Sequence, residues 1–283
     1  HQLHRRQRQM CIRDSAGTIT IKEPTFTNDT LVIDDSREGW VNSVHVLLDG
    51  FFHGGNVPKF DYSAIRPEGA PIHGFGGTSS GAGPLIELHN NLKELYTEKI
   101  GEPITSVDIV DTENLIGRCV VAGNVRRSAA LAIGQYDDVR YLEMKNDQEK
   151  LYHHRWGSNN SFDAEVGMDY SWHAEQSQKN GEPGYIWLEN ARAFGRIKDG
   201  VNYDDAEVVG FNPCVEQSLH NAEMCCLVET FPAKHEDYDD YVKTLKCAYL
   251  YGKTVTLVNT HWPETNAKML KNRRIGLSQS GII

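Results

Sequence analysis

An α/β fold is the architecture that this sequence predicts, and three observations support the prediction. Amphipathic helical stripes alternate along the chain with short β-rich runs, which is the pattern of α/β proteins. No apolar run approaches the roughly 18 residues of a membrane-spanning helix, so we predict no membrane association. No long linker rich in Pro, Gly or Ser marks a boundary, and we therefore interpret residues 16–283 as part of one large domain.

The helices are predicted from apolar residues at helical spacing and from capping signals. The first helix begins after Ser36 and ends at the break 54–56, and the second begins at about Pro84. The third runs from 105–106 to the residue before Gly123, and the fourth begins near Tyr238 and ends at Gly252. The apolar stripes are Trp40, Val44, Leu47 and Phe51; Leu85, Leu88, Leu92 and Leu95; and Tyr238, Val242, Leu245 and Tyr249. Cys247 lies in the last helix and is expected to pack. The β-rich runs at 185–188, 226–231 and 254–258 are predicted strands.

Residues 1–15 are set apart from the fold. Residues 5–15 match the translation of a common transposon sequencing adapter, so we interpret this segment as an artefact rather than a basic arm or a targeting peptide. Without it, 25 basic and 38 acidic residues remain, a net charge of −13 instead of −10. This charge disfavours a nucleic-acid surface, although it is compatible with a local basic pocket for triphosphates. The six cysteines lack the density of a disulfide scaffold, which indicates the reducing cytoplasm.

The stretch 211–229 holds three of the six cysteines. Asn212-Pro213 is a turn signal, because proline fixes its own φ and restricts the residue before it. Cys214 is therefore expected on a tight loop. If the backbone is extended there, Glu216 shares the side of Cys214 and places a potential general base beside a thiol. A returning segment can bring Cys225 alongside.

On residue types alone, three interpretations of this stretch stay open. They are a nucleophilic cysteine, half of a zinc site, and a buried loop with inert thiols. A metal site is disfavoured because the chain has no Cys-x-x-Cys pair and no histidine at zinc-finger spacing, so we predict no metal-ligating residues. A nucleophilic cysteine commonly uses a histidine base, and no histidine here is locally marked as one.

Two further loops carry residues that suit phosphate binding. Residues 74–81 are rich in glycine and hydroxyl groups ahead of the second helix, whose N-terminal N–H groups could attract phosphate. A plain flexible connection is the alternative. Asn124, Arg126 and Arg127 lie on a loop after the third helix. Arginine binds phosphate through two parallel hydrogen bonds, so these residues could form a phosphate site. The alternative is that the two arginines are a solvated pair on the surface.

The motif Asn-Pro-Cys-x-Glu at 212–216, followed by Cys225 and by Leu-Val-Glu-x-Phe-Pro at 227–232, resembles the active-site loop of ribonucleotide reductases. The resemblance is to the monomeric, adenosylcobalamin-dependent ribonucleoside-triphosphate reductases, and it runs from about residue 35 to the end. It implies a ten-stranded α/β barrel with the loop as a finger inside it. Because residues 273–282 resemble a barrel strand beyond which that family continues, we expect an internal segment of a longer enzyme, inactive alone.

The resemblance also implies roles for individual residues. Cys214 would form a thiyl radical, Glu216 would act as general base, Asn212 would hold a ribose hydroxyl and Cys225 would be one of two reducing thiols, whose upstream partner is missing. The residues implied to contact substrate are Gly76, Gly77, Thr78 and Ser79. Those implied to sense an effector are Arg66, Asn124, Arg126 and Arg127.

The implied cofactor is adenosylcobalamin, and the implied activity is reduction of ribonucleoside triphosphates for DNA synthesis. Further implied partners are deoxynucleoside triphosphate effectors and thioredoxin, which would act on a C-terminal thiol pair with a redox-active disulfide. A cytoplasmic monomer is expected. One alternative is the large subunit of a metal-dependent (class I) reductase, against which residues 227–232 argue. Another is an inactive nucleotide-binding fragment.

Val215 departs from the family pattern, which has glycine at this place. Glycine commonly marks a backbone with φ > 0. Metal-dependent reductases, however, resemble Asn-Leu-Cys-Leu-Glu here, with a bulky residue at the equivalent position. We therefore expect φ < 0 at Val215, a side chain packed against the barrel wall, and little effect of Val215→Gly. A φ > 0 would favour the inactive-fragment alternative.

Overall fold

The structure is a computed structural model that describes residues 17, 19–73, 76–123, 127–195 and 200–281. It divides into two compact units. The N-terminal unit ends at Ile186 and the C-terminal unit begins at Trp187. The assignment of residues 16–283 to one large domain stays a prediction, and the adapter interpretation of residues 1–15 concerns a segment outside the described residues.

The N-terminal unit alternates helices with parallel strands. Its elements are β1 (Thr25–Val32), α1 (Arg37–His53), β2 (Asn56–Asp61), α2 (Gly83–Thr97), α3 (Ser106–Val121), β3 (Ala130–Gly134), α4 (Val139–Glu143), α5 (Gln148–His153), β4 (Ser158–Asp163), α6 (Ser171–Asn180) and β5 (Gly184–Ile186). Strand β1 pairs with β2, and β3, β4 and β5 form a second parallel sheet. The predicted α/β class is confirmed.

Local signals at the helix ends account for the position of the three predicted helices in this unit. The hydroxyl of Ser36 caps α1, which ends at Gly54 with φ 78°. Pro84 lies in the first turn of α2. Thr105 and Asp108 form a capping box at the start of α3, so two otherwise unpaired N–H groups are satisfied.

The core of this unit consists of the apolar stripes of its helices, packed together with side chains of the sheet. Leu47 and Phe51 of α1, Leu92 of α2 and Val110 of α3 are fully buried, as is Tyr141 of α4. Burial of one such aliphatic or Phe side chain stabilises the folded state by about 1.5–3 kcal/mol. The stripes read from the sequence are therefore the faces that hold this unit together.

The C-terminal unit carries a hairpin and a second, parallel pair of strands. Its elements are α7 (Leu188–Ala193), β6 (Val208–Phe211), β7 (Ser218–His220), β8 (Leu227–Thr230), α8 (Tyr238–Val255), α9 (Pro263–Asn272) and β9 (Gly276–Gln279). Strands β6 and β7 are antiparallel, whereas β8 and β9 are parallel. Helix α8 packs against both strands of the parallel pair.

The predicted strands at 185–188 and 226–231 are confirmed in shortened form. They are observed as β5 and β8, and Leu188 already belongs to α7. Helix α9 was not predicted, because its apolar residues are few and Trp262 provides no side-chain cap. Each difference lies at an element boundary or in a weakly periodic segment.

Three expectations for α8 are wrong. The helix passes Gly252 and ends at Val255, so residues 254–258 do not form the predicted strand. Gly252 is buried where α8 approaches β8 closely, because a Cβ atom there would lie 3.2 Å from Val228 Cγ2. The glycine therefore serves packing and does not end the helix. Cys247 is exposed rather than packed.

Candidate active site

The candidate site lies on the hairpin of β6 and β7, whose loop covers residues 212–217. The N–H of Asn212 donates to the carbonyl oxygen of Gln217 at 3.1 Å. The N–H of Val215 donates to the carbonyl oxygen of Asn212 at 2.9 Å and closes a turn with Pro213 in its second place. The prediction that Cys214 lies on a tight turn is confirmed.

The side chain of Asn212 forms hydrogen bonds to three other residues of the site. Its Nδ2 donates to Glu216 Oε1 at 2.5 Å and to Cys225 Sγ at 3.4 Å. Its Oδ1 accepts the N–H of Gln217 at 3.0 Å. Asn212 is buried, whereas Glu216 and Cys214 are exposed. The structure thus brings the returning Cys225 to the hairpin, as the sequence predicted.

Two adjacent thiols on the returning segment differ from ordinary cysteines. Burial raises the pKa of the Cys225 thiol, and the Glu216 carboxylate raises it further, against a smaller lowering by the hydrogen bond from Asn212. Burial also raises the pKa of Cys226, with a contribution from Glu223. Both thiols therefore keep their protons at neutral pH.

Val215 adopts a φ of 69°, in the left-handed region, so the prediction of φ < 0 is wrong. Its side chain is 38% exposed rather than packed against a wall. The position follows the turn, where glycine is favoured, and a β-branched residue there costs about 1–3 kcal/mol. The extended backbone between Cys214 and Glu216, on which their placement on one side was conditional, is therefore not observed.

A buried ionic cluster, which sequence analysis missed, supports the hairpin. Asp205 accepts hydrogen bonds from Arg274 Nη1 at 2.8 Å, Arg274 Nη2 at 3.0 Å and His220 Nε2 at 2.7 Å. Arg274 Nε donates to Glu223 Oε1 at 3.1 Å, and Glu223 Oε2 accepts the N–H of His220 at 2.8 Å. We call Asp205, His220, Glu223 and Arg274 the Asp205 cluster. Asp205 and Arg274 are 69 residues apart, so no sequence spacing signals their contact.

The predicted substrate loop lies in the N-terminal unit. Gly76 and Gly77 have φ values of 76° and 84°. The N–H of Gly76 donates to the carbonyl oxygen of Ile72 at 2.9 Å, and that of Ser79 to Ala70 at 2.8 Å. These two N–H groups are therefore satisfied within the loop. Residues 74 and 75 lie outside the described residues, and the substrate contacts of Gly76, Gly77, Thr78 and Ser79 stay a prediction.

The predicted effector residues also belong to the N-terminal unit. Arg66 Nε donates to Asp35 Oδ2 at 2.5 Å, and its Nη1 donates to the carbonyl oxygen of Pro71 at 3.3 Å. Arg127 is exposed. Asn124 and Arg126 lie outside the described residues. The role of these residues as effector sensors stays a prediction.

Two features are absent from the described ranges. No helix among them is both long enough and apolar enough to cross a bilayer. Within the same ranges, no three or more His, Cys, Asp or Glu side chains group in a way that could hold a metal ion.

Comparison with known proteins places this chain in a family. The family model for the insertion domain of B12-dependent ribonucleotide reductase matches residues 15–96. The sequence analysis had assigned these residues, from residue 16 onward, to the barrel. A crystal structure of a B12-dependent (class II) ribonucleotide reductase superposes with a TM-score of 0.78 at 42% identity, over 90% of this chain and 36% of that one. The fold is therefore that of class II ribonucleotide reductases.

Similar sequences carry a more specific name. The Euglena gracilis adenosylcobalamin-dependent ribonucleoside-triphosphate reductase is 50% identical over 94% of this chain and 37% of its own length. The Dictyostelium discoideum protein, named "Probable adenosylcobalamin-dependent ribonucleoside-triphosphate reductase", is 52% identical over 89% of this chain and 34% of its own length. The chain belongs to the family of adenosylcobalamin-dependent ribonucleoside-triphosphate reductases. It spans about a third of the length of these curated relatives.

Proposed function

We propose that this chain is the part of an adenosylcobalamin-dependent ribonucleoside-triphosphate reductase that carries the radical cysteine. The observation that supports this most is the convergence on Asn212 of Glu216 and Cys225, beside the exposed Cys214. Cys214 and Glu216 on the hairpin, with Cys225 on the segment that returns to it, are three of the groups that ribonucleotide reduction requires. The proposal includes the ten-stranded barrel, within which this hairpin would be the finger.

The hairpin offers adenosylcobalamin one accessible thiol. Cys214 is exposed at the turn, so its S–H is accessible to a group bound outside the hairpin. When bound, the cofactor supplies the radical chemistry that removes a hydrogen atom from that thiol. By resemblance, most of the surface that holds the cofactor belongs to segments other than this one.

Different residues of this chain then carry out different steps of the reaction. The thiyl radical of Cys214 takes the 3′ hydrogen atom of the ribose and later returns it, because S–H and ribose C–H bonds are close in strength. Glu216, held by Asn212, accepts the proton of the 3′-hydroxyl and returns it to the 3′ oxygen when the product forms. The 2′-hydroxyl leaves as water.

Cys225 acts in this elimination and in the reduction that follows it, together with a second thiol that the family supplies from an upstream segment. One of their two hydrogens completes the leaving water and the other is added at C2′. Two electrons pass to the substrate, and the two sulfur atoms end as a disulfide. The raised pKa of Cys225 suits this role, since the group must still carry its hydrogen when the radical is formed.

The remaining parts of the proposal rest on family resemblance. Deoxynucleoside triphosphates would act as effectors on the loop that includes Arg127, and the loop 76–79 would contact substrate. Thioredoxin would reduce the disulfide, and the complete enzyme would be a cytoplasmic monomer. A metal-dependent (class I) large subunit is disfavoured, because the similar proteins are named as adenosylcobalamin-dependent.

One observation favours a second candidate, an inactive nucleotide-binding fragment. Val215 takes a left-handed backbone conformation that β-branched residues strongly disfavour. Strain next to Cys214 could displace the thiol from the substrate. The two candidates therefore differ in whether a hairpin with valine at 215 supports turnover.

The test uses a chimera in which residues 19–281 replace the matching segment of the Euglena gracilis relative. Cys214→Ser should abolish both deoxynucleotide formation and exchange of cofactor hydrogen with solvent, because no thiyl radical can form. Cys225→Ser should stop deoxynucleotide formation yet leave the exchange, because this thiol acts later. Glu216→Gln should lower the rate by a factor on the order of 10²–10⁴.

Two results would contradict the proposal. Equal loss of exchange in the two cysteine variants would refute the assignment of their roles. A folded chimera that is inactive as such, but active as Val215→Gly, would show that valine has inactivated this hairpin and would support the second candidate.

A further inference from the structure

We propose that Arg274 is a positioning residue for the thiol site, whose guanidinium group fixes the segment that carries Cys225 against the hairpin that carries Cys214. The catalytic meaning of this inference rests on the proposed function. The structural part of the inference does not depend on that function, because it concerns only how two segments of the C-terminal unit are placed relative to each other.

The guanidinium group joins three separate stretches of chain. It binds Asp205, which precedes β6, through two hydrogen bonds of 2.8 and 3.0 Å. It reaches Ser218 Oγ of β7 at 3.3 Å and Glu223, two residues before Cys225, at 3.1 Å. These bonds use Nε and both Nη atoms in a fixed fork, which the three N–H donors of a lysine ammonium group cannot reproduce.

The backbone that follows Arg274 binds the residue that follows Cys225. The N–H of Gly276 donates to the carbonyl oxygen of Cys226 at 2.9 Å. From that point β9 pairs with β8, beginning with Leu227 opposite Gly276. Cys225 is thus bracketed by Glu223, which the Arg274 side chain binds, and by Cys226, which the chain just after Arg274 binds.

The hairpin is bound to the same two carboxylates that Arg274 binds. Ser218 and His220 belong to β7, and His220 Nε2 donates to Asp205 at 2.7 Å while its N–H donates to Glu223 at 2.8 Å. Asp205 is 1% exposed and Glu223 is 8% exposed. Two buried carboxylates repel each other unless a cation lies between them, so the cluster holds together only with the guanidinium in place.

Thiol alkylation in the 283-residue chain measures this placement without substrate or cofactor. The rate of iodoacetamide labelling of each cysteine is followed by peptide mass spectrometry across pH 6–10. In Arg274→Lys, labelling of Cys225 at pH 8 should rise about tenfold and its pH profile should move to lower pH, since the thiol becomes less buried. Exposed Cys247, in the same unit, is the internal reference and should not change.

The neighbouring arginine provides a matched control. Arg273 Nε donates to Thr256 Oγ1 at 2.6 Å and its Nη2 donates to the carbonyl oxygen of Lys253 at 2.7 Å, both at the end of α8. Arg273→Lys makes the same chemical change one residue away and should leave the profile of Cys225 unaltered.

Either of two outcomes overturns the inference. One is an unchanged Cys225 profile in folded Arg274→Lys. The other is an equal rise for Cys225 and Cys247, which would indicate general loosening of the unit. If Arg274→Lys does not fold, Asp205→Asn decides the question, because it keeps the shape of the side chain and weakens the same fork. Asp205→Asn should raise Cys225 labelling selectively, and the absence of a selective rise would refute the inference.

Discussion

Each unit of the molecule contains a buried aspartate bound by one histidine and one arginine. In the N-terminal unit, Asp111 accepts His154 Nε2 at 3.0 Å and Arg155 Nε and Nη2 at 2.7 Å each. In the C-terminal unit, Asp205 accepts His220 Nε2 and both Nη atoms of Arg274 at 2.7–3.0 Å. The two aspartates are equally buried, at 2% and 1% exposure.

The difference between the clusters lies in the chain that they connect. We call Asp111, His154 and Arg155 the Asp111 cluster. Because His154 and Arg155 are adjacent, this cluster ties the turn after α5 to helix α3, and Arg155 Nη1 also donates to the carbonyl oxygen of Met144, between α4 and α5. The Asp205 cluster ties four segments and adds a second carboxylate, Glu223, two residues before Cys225. The same side-chain chemistry therefore gives local stability when the partners are close in sequence, and determines the geometry of a site when they are distant.

Removal of either arginine should have the largest effect. Arg155→Leu or Arg274→Leu should lower the free energy of unfolding by about 3–5 kcal/mol, because an aspartate stays buried without its cation. Urea unfolding measures the change, and exposed Arg140→Leu is the control, with an expected change within about 0.5 kcal/mol. Selective labelling of Cys225 should increase in Arg274→Leu alone. An equal increase in Arg155→Leu would contradict the conclusion that only the Asp205 cluster determines the placement of Cys225.

Relief of backbone strain should have the next largest effect. Val215→Gly should raise the free energy of unfolding by about 1–2 kcal/mol, because glycine adopts positive φ without a steric penalty. Val209→Gly, at a similarly exposed valine within strand β6, should destabilise the protein instead. Chemical denaturation of both variants tests the difference in sign. Destabilisation in both would show that Val215 is not strained.

Acid should weaken the Asp111 cluster by a smaller amount. Burial raises the pKa of the Asp111 carboxyl, but the hydrogen bonds from Arg155 and His154 outweigh this and hold the pKa below the ordinary value. A lowered folded-state pKa contributes stability above the unfolded value of about 3.9, and this contribution is lost as the pH falls through the folded value.

The variant Asp111→Asn isolates this contribution. Between pH 5 and 3, its free energy of unfolding should fall less steeply than that of the unmodified protein. Exposed Asp137→Asn is the control and should leave the slope unchanged. Identical slopes for Asp111→Asn and the unmodified protein would show that the carboxyl does not contribute.

The smallest expected effect concerns the charge beside Cys225. The Glu216 carboxylate raises the pKa of this thiol, so Glu216→Gln should lower the pKa and increase the thiolate fraction at pH 8. Labelling of Cys225 at pH 8 should therefore rise. Exposed Glu236→Gln is the control. An unchanged rate in Glu216→Gln would place the carboxylate too far from the thiol to act on it.

The sequence alone determined the features that depend on neighbouring residues. Ser36 and Thr105 specify helix starts because a side-chain oxygen satisfies an N–H group within the same turn. Asn212-Pro213 specifies the turn that presents Cys214, through the fixed φ of proline. The resemblance of 212–216 and Cys225 to a reductase loop named the family that the comparisons show.

Only the tertiary structure decided the features that depend on distant partners. Helix α8 continues through Gly252 because that glycine packs on Val228, a contact that no helix-end signal contains. The left-handed φ of Val215 is imposed by a turn whose ends β6 and β7 hold together. The Asp205 cluster forms because the fold brings Arg274 to residues 51–69 positions away. Capping and turn preferences act over a few residues, whereas burial of charge requires the whole unit to close around it.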